Sequence, residues 1–449
     1  MKPHLSFWQI INMNVGFFGI QYSFGLQQTA INPLYTFLHA KPEELPLLNL
    51  AGPMTGLLIQ PLIGALSDKT WHPRWGRRKP YFLIGAVMCS LCLFAFPFSK
   101  ALWMAVGLLW ILDAANNTAM EPYRAFVADK LPDSQLATGF LTQSFFTGLG
   151  ITLANLSLYF FQQIITGSSM ASDGQSGIPY WVFGSFFVGA VCSIGSVLWS
   201  VSKTPEIPPT EEELHHLRTA EKGIFTPLLD IFSAIRHMPQ TLWRLALVYL
   251  FQWYAMFCYW QFISHAIAQA IWHTSAEKDP ALYQQAVGWT GLVNGFYNIV
   301  TFVSAFALVG LAKKYGAKQV HIVCLAFAAL ALFLLPHIGN KYLLFAPMVG
   351  FGVAWASMMG VPYIMVVGSI PKQRYGVYMG IINMMIVIPM ILQTLTFGFV
   401  YKHFLGSNPA NAISFAGVLL LAASLAVIPI PQNKVTDQVV LPVGGVGGH

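Results

Sequence analysis

Residues 108–132 read LLWILDAANNTAMEPYRAFVADKLP, and residues 355–371 read WASMMGVPYIMVVGSIP. Pro122-Tyr123 in the first stretch matches Pro362-Tyr363 in the second, and Pro132 matches Pro371, so one segment recurs about 240 residues later. The loop GALSDKTWHPRWGRRK at 64–79 has a worn counterpart, VGLAKKYGAK, at 309–318. A chain that repeats itself with the same punctuation is built from two equivalent halves, as many secondary transporters are.

Composition names the solvent those halves meet. Of 449 residues, 55% are hydrophobic and only 9% charged, with a mean hydropathy of +0.58. Soluble domains carry roughly a quarter charged residues, which excludes an ordinary cytosolic enzyme and a disordered chain. Apolar segments fall at 6–30, 46–66, 80–98, 101–129, 135–165, 178–201, 241–271, 285–311, 318–336, 341–369, 375–402 and 410–430. A membrane-spanning helix needs about 20 apolar residues, so each can cross a bilayer. The expected fold is an all-α membrane protein with twelve transmembrane helices in two pseudo-symmetric six-helix bundles. The bundles occupy 1–201 and 241–430, joined by a linker at 202–240 and followed by a tail at 431–449.

Lysine and arginine set the orientation. With both termini cytoplasmic, 18 of these residues face inward and 5 outward, leaving Arg124 within the membrane. This split explains the net charge of +7 by topology and leaves no case for nucleic acid. MKPHLSF runs straight into an apolar stretch without a small-residue cleavage site, the pattern of a retained first helix. All five cysteines lie in apolar runs, so a disulfide framework is not expected. In the linker, Thr210 and Glu213 form a capping-box pattern, and LLDIFSAIRHM at 228–238 reads as an amphipathic surface helix.

The fourth segment carries the chemistry. Asp113, Asn116, Asn117, Glu121 and Arg124 share an arc of roughly 140° on one helical face. Ionisable groups at bilayer depth cost several kcal/mol unless paired or facing a water-filled cavity. Glu121 and Arg124 are three apart and can pair. Asp113 stands eleven residues from Arg124, about 16 Å along a helix, too far for a bridge. Such a stranded carboxyl group favours its protonated form and suits a proton carrier; Arg124 then serves as a counter-charge. In the second half, Ile364 follows Tyr363 and Ser369 stands opposite Asp129, so the coupling charges belong to the first half.

Gly64-x-x-x-Asp68-Lys69, followed by Gly76-Arg77-Arg78, places a carboxylate at a helix end beside clustered cations. This pattern resembles the signature loop of the major facilitator superfamily. Asp68, Arg77 and Arg78 form a candidate conformational latch, in which Lys313 replaces the acid in the second-half copy.

The stretch LAGPMTGLLIQPLIGALSDKTWHPRWGRRKPYF at 50–82, with LLWILDAANNTAMEPYRAFVAD at 108–129, resembles the sucrose transporter family and its bacterial relatives within that superfamily. The resemblance implies proton-coupled uptake of a disaccharide or related glucoside such as sucrose or maltose. It places the family's fourth-helix aspartate on Asp113 and its arginine on Arg124. Plant members usually carry glycine where this chain has Glu121, which points to a bacterial inner-membrane member.

A sugar needs flat apolar faces and amide partners for its hydroxyls. Candidate substrate-binding residues are therefore Gln21, Asn116, Asn117, Gln143, Gln252, Trp253, Asn294 and Asn298. Gln27, Gln28, Asn32, Asn155, Tyr259, Trp260, Gln261 and Tyr297 form a wider set. His265 and His321 fall near helix ends, so no histidine proton relay is expected. No Walker, zincin or nucleophile-elbow motif occurs, which argues against an enzyme or an ATP-driven pump. Expected partners are a small-molecule sugar and the lipid bilayer, with protons as coupling ion, no other cofactor, no metal, and a monomeric chain. The alternatives are proton-coupled transport or export of a non-sugar solute, and a sugar sensor without flux.

Overall fold

The computed structural model describes residues 2–73, 75–165, 178–206, 208, 235–236, 238–367 and 375–431. Its long helices are α1 (Phe7–Phe37), α2 (Ala51–Lys69), α3 (Lys79–Ala95), α4 (Leu102–Lys130), α5 (Asp133–Ile164) and α6 (Tyr180–Lys203) in the first half. The second half holds α7 (Gln240–Trp272), α8 (Pro280–Tyr315), α9 (Ala317–Leu334), α10 (Phe345–Val367), α11 (Tyr375–His403) and α12 (Pro409–Val427). A single-turn helix, Leu45–Leu48, precedes α2. The amphipathic linker helix expected at 228–238 and the tail beyond Pro431 lie outside the described residues.

Local chemistry sets several boundaries. Ser6 and Gln9 form a reciprocal capping box at α1. Asp279 accepts from the Ala281 and Leu282 amides at the start of α8, and Asn408 accepts from Ala410 at the start of α12.

Packing repeats with a period of six helices. In the first half α1 packs on α5 and α6, α3 on α4 and α6, and α2 on α4. In the second, α7 packs on α11 and α12, α9 on α10 and α12, and α8 on α10. The halves meet through α5 against α8 and through the equivalent pair α11 against α2.

Among the described residues, eight stretches are long and apolar enough to cross a membrane, and they correspond to α2, α3, α5, α6 and α9 to α12. The other four, α1, α4, α7 and α8, have 31, 29, 33 and 36 residues, length enough to cross a bilayer. They carry many of the buried amides and the Asp113 carboxyl group. Polar side chains survive at such depth when they face one another rather than lipid, so these four helices mark the interior.

The loop between α2 and α3 is tied to the end of α6. The Glu206 carboxylate accepts the backbone N–H groups of Arg77, Arg78 and Lys79 at 2.7, 2.9 and 2.9 Å. Lys130 Nζ donates to the Pro205 carbonyl at 2.6 Å. Arg78 donates to Asp129 at 2.9 Å and to Ser67 Oγ at 2.6 Å, while Arg77 Nε reaches the Ser67 carbonyl at 3.4 Å. Arg77 and Arg78 thus join α2, α4 and α6 of one half; the Asp68 side chain lies outside the described residues. Glu206 fills the amide-rich start of α3 with negative charge, where the helix dipole favours it. Glu206→Gln should cost about 1 kcal/mol of stability, read as a lower thermal-unfolding midpoint in detergent.

Candidate functional site

Asp113 is 3% exposed and lines an internal cavity of about 50 Å³. Gln27, Gln28 and Asn32 of α1 form one wall, Asn49 and Gly52 another, and Phe257, Trp260 and Gln261 of α7 the third. The Gln27 side chain faces the carboxyl group. Among the described residues no cation pairs with Asp113. Asn49 reaches the site because the Leu45–Leu48 turn folds it over α1: its amide donates to Asn32 Oδ1 at 2.6 Å and to the Leu45 carbonyl at 2.7 Å.

Two hydrogen-bonded relays cross between the halves near this cavity. In one, Asn117 donates to the Asp113 carbonyl at 2.9 Å and to Thr55 at 3.1 Å. Its Oδ1 accepts from Gln60 at 2.7 Å, and Gln60 Oε1 accepts from Asn383 of α11 at 3.3 Å. In the other, Thr29 donates to Asn155 of α5 and accepts from Asn294 at 3.0 Å. The Asn294 Oδ1 accepts from Tyr259 at 2.7 Å. Asn298 donates back to the Asn294 carbonyl at 2.8 Å.

The remaining candidates lie elsewhere. Asn116 donates to Ser23 of α1 at 2.9 Å. Arg124 and Glu121 stand 3.9 Å apart in a loose, partly exposed pair. Both Arg124 and Gln21 reach the Met120 sulfur, at 3.4 and 3.6 Å, so Gln21 groups with the arginine and not with Asp113. Trp253 packs edge-on against Trp355 and Tyr249. Gln143 and Gln252 are fully buried, and among the described residues neither end of either amide has a partner. Of the eight substrate candidates, none lines the Asp113 cavity; Gln27, Gln28, Asn32, Trp260 and Gln261 of the wider set do. Asn49 and Phe257 were not expected, and Phe257 lacked any signal beyond its place in an aromatic run.

The seam is closed at the Phe37 end of the bundle. Thr36 Oγ1 and His265 Nε2 are 3.2 Å apart, Trp181 Nε1 donates to Gln284 Oε1 at 3.2 Å, and Phe37 meets Tyr283 edge-on. Towards the Phe7 end, α5 and α8 still touch through Phe145 and Phe302, which are 42% and 39% exposed. A small-molecule site holds roughly 300–1,000 Å³, so the Asp113 cavity is contracted in this conformation.

Known proteins share this architecture. The sucrose transport protein SUC4 of Arabidopsis thaliana is 23% identical over 466 residues, covering 94% of this chain and 90% of its own. The sucrose transport protein SUT5 of Oryza sativa subsp. indica is 24% identical over 495 residues, covering 95% and 88%. Among solved structures, the nucleoside transporter NupG superposes with a TM-score of 0.67 at 15% identity, covering 94% of this chain and 100% of that one. A D-xylose-proton symporter gives 0.64 at 13%, covering 94% and 97%; at these identities the likeness is one of fold. The family pattern described as Major Facilitator Superfamily matches residues 13–394. With most of its length so matched, this chain belongs to the Major Facilitator Superfamily, a family of membrane transport proteins and not of enzymes.

Proposed function

We propose that the protein is a proton-coupled symporter of a disaccharide or related glucoside, working by alternating access in a bacterial inner membrane. In this reading all twelve long helices span the bilayer and both termini are cytoplasmic, so the Phe37 end is the outer side. The observation that carries it is Asp113: a buried carboxyl group without a cation, in a cavity of amides and one indole between two halves. Charge on a carboxyl group buried this deeply is costly, and a proton removes that cost. Proton and sugar together thus favour closure, and either alone does so less well. Glu121 and Arg124, about 12 and 16 Å further along α4, meet the proton's exit path, where a cation favours return of Asp113 to its charged form. The sucrose transport proteins similar to this chain support the substrate class.

The test is external pH in a weakly buffered vesicle suspension. Adding sucrose, maltose or another glucoside should alkalinise the medium, with sodium making no difference. Silence with every sugar rejects the proposal, and drug sensitivity of cells lacking the protein would then favour export. Trp260 supplies the flat apolar face, so Trp260→Ala should raise the half-saturating sugar concentration roughly tenfold, equivalent to about 1.4 kcal/mol of lost stacking. Trp260→Phe should restore most of it.

A further inference from the structure

A second, larger cavity of about 730 Å³ lies beyond the Asp113 cavity at the Phe37 end, and both halves wall it. The two cavities are separated by one helical turn on each of two helices. On α1, Asn32 lines the inner cavity and Thr36 the outer; on α7, Gln261 lines the inner and His265 the outer. Four residues of helix rise only about 6 Å. Thr36 and His265 meet across this partition at 3.2 Å.

We propose that the outer cavity is a separate binding site for the transported sugar, an antechamber closed off from the Asp113 site by a one-turn partition whose bolt is the Thr36–His265 contact. The proposal rests on the sugar-transport reading for its ligand and on geometry alone for its bolt.

The bolt has a defined chemistry. The Thr36 hydroxyl donates to the Asn32 carbonyl at 2.9 Å, so towards His265 it acts as acceptor and the imidazole donates from Nε2. The Tyr283 hydroxyl of α8 lies 3.2 Å from the same nitrogen. His265 therefore gathers α1, α7 and α8 at one point. Among the described residues its buried Nδ1 has no partner. Separating the halves at this end parts Thr36 from His265 and merges the two cavities.

The antechamber wall offers a sugar's hydroxyls partners of both kinds, with Lys278, Thr274 and Ser275 as donors. Helices α1, α7 and α11 all end there, and their last carbonyls are largely taken by backbone N–H groups of the turns that follow. Glu43, Glu277 and Gln269 add acceptors to its wall, and Tyr401 a ring. Among the described residues the non-glycine positions with left-handed backbone are His39, His273 and Ser407, at φ 67°, 50° and 54°. All three line this one cavity. His39 and His273 stand directly after the last turns of α1 and α7, where a left-handed residue commonly closes a helix. The volume falls in the range of small-molecule sites, unlike that of the contracted inner cavity.

The experiment uses sealed right-side-out vesicles and a background with all five native cysteines replaced. A membrane-impermeant maleimide is added outside. Gln269→Cys, on the antechamber wall, should label; Gln28→Cys, on the Asp113 cavity, should label slowly. Sucrose or maltose at about four times its half-saturating concentration should slow Gln269→Cys labelling roughly fivefold. The protection should persist with Asp113→Asn and Gln261→Leu together, which strip the inner cavity. A sugar that is co-transported yet leaves Gln269→Cys unprotected, or protects it only with the inner cavity intact, overturns the antechamber while transport stands. Thr36→Val with His265→Phe should speed Gln28→Cys labelling from outside by about tenfold, and His265→Gln, which keeps a donor to Thr36, should not. Unchanged labelling in the double variant overturns the bolt. That arm uses no sugar, so it holds or fails independently of whether any sugar moves protons.

Discussion

Asp113→Asn should abolish sugar-driven proton uptake while leaving sugar binding within a few-fold of wild type. The amide keeps the shape and hydrogen-bonding capacity of the carboxyl group but cannot exchange a proton. One positive charge moving through 100 mV contributes about 2.3 kcal/mol, which sustains roughly fiftyfold sugar accumulation in the coupled protein. The Asn variant should only equilibrate the sugar, and the alkalinisation on its addition should vanish. Exchange of internal for external sugar should continue, because it needs no net proton movement. Asp113→Glu restores an acid in the same cavity and should recover coupling at a reduced rate. Wild-type accumulation by Asp113→Asn would remove the carboxyl group from the mechanism. Equal accumulation by wild type and by Arg124→Gln would remove only the counter-charge.

That carboxyl group was legible in the sequence because charge within an apolar segment is costly wherever it sits. The repeat was legible for a similar reason: Pro122-Tyr123 and Pro362-Tyr363 punctuate otherwise featureless apolar runs. Amides were harder to read. Gln27 and Asn155 serve quite different neighbours, one the Asp113 carboxyl group and the other the Thr29 hydroxyl between α1 and α5. Composition alone cannot separate such roles, since an amide in a membrane helix bonds another helix as readily as a ligand. Asn49 depended on the fold itself, because only the Leu45–Leu48 turn brings it back over α1. Glu206 follows α6 in an ordinary-looking S-K-T-P-E, and its role emerges only when the α2–α3 loop lies beside it. Gly288, Gly291 and Gly295 went unread in the sequence, and only the fold shows α5 pressed against them.

The close approach at Gly291 yields the second large effect. A Cβ built there would lie 2.5 Å from the Asn155 carbonyl oxygen and 3.1 Å from Leu158 Cβ, both on α5 of the other half. The first contact is with backbone, so no rotamer change relieves it; α5 and α8 must move apart. They are the principal contact between the halves. Gly291→Val should therefore penalise the closed-outside conformation by about 1–3 kcal/mol. When the halves part at that end the clash disappears, so the population shifts towards the outward-open form by roughly 5- to 150-fold. Sugar binding from outside should survive or tighten, whereas turnover should fall by about the same factor, since each cycle must pass through the disfavoured state. Gly291→Ala adds a Cβ without the branch and should fall between the two. A Gly291→Val protein that binds and turns over like wild type would show that α5 and α8 do not come this close during the cycle. If both binding and turnover were lost in a protein that still elutes as a single species, Gly291 would be a site of sugar contact and not of helix approach.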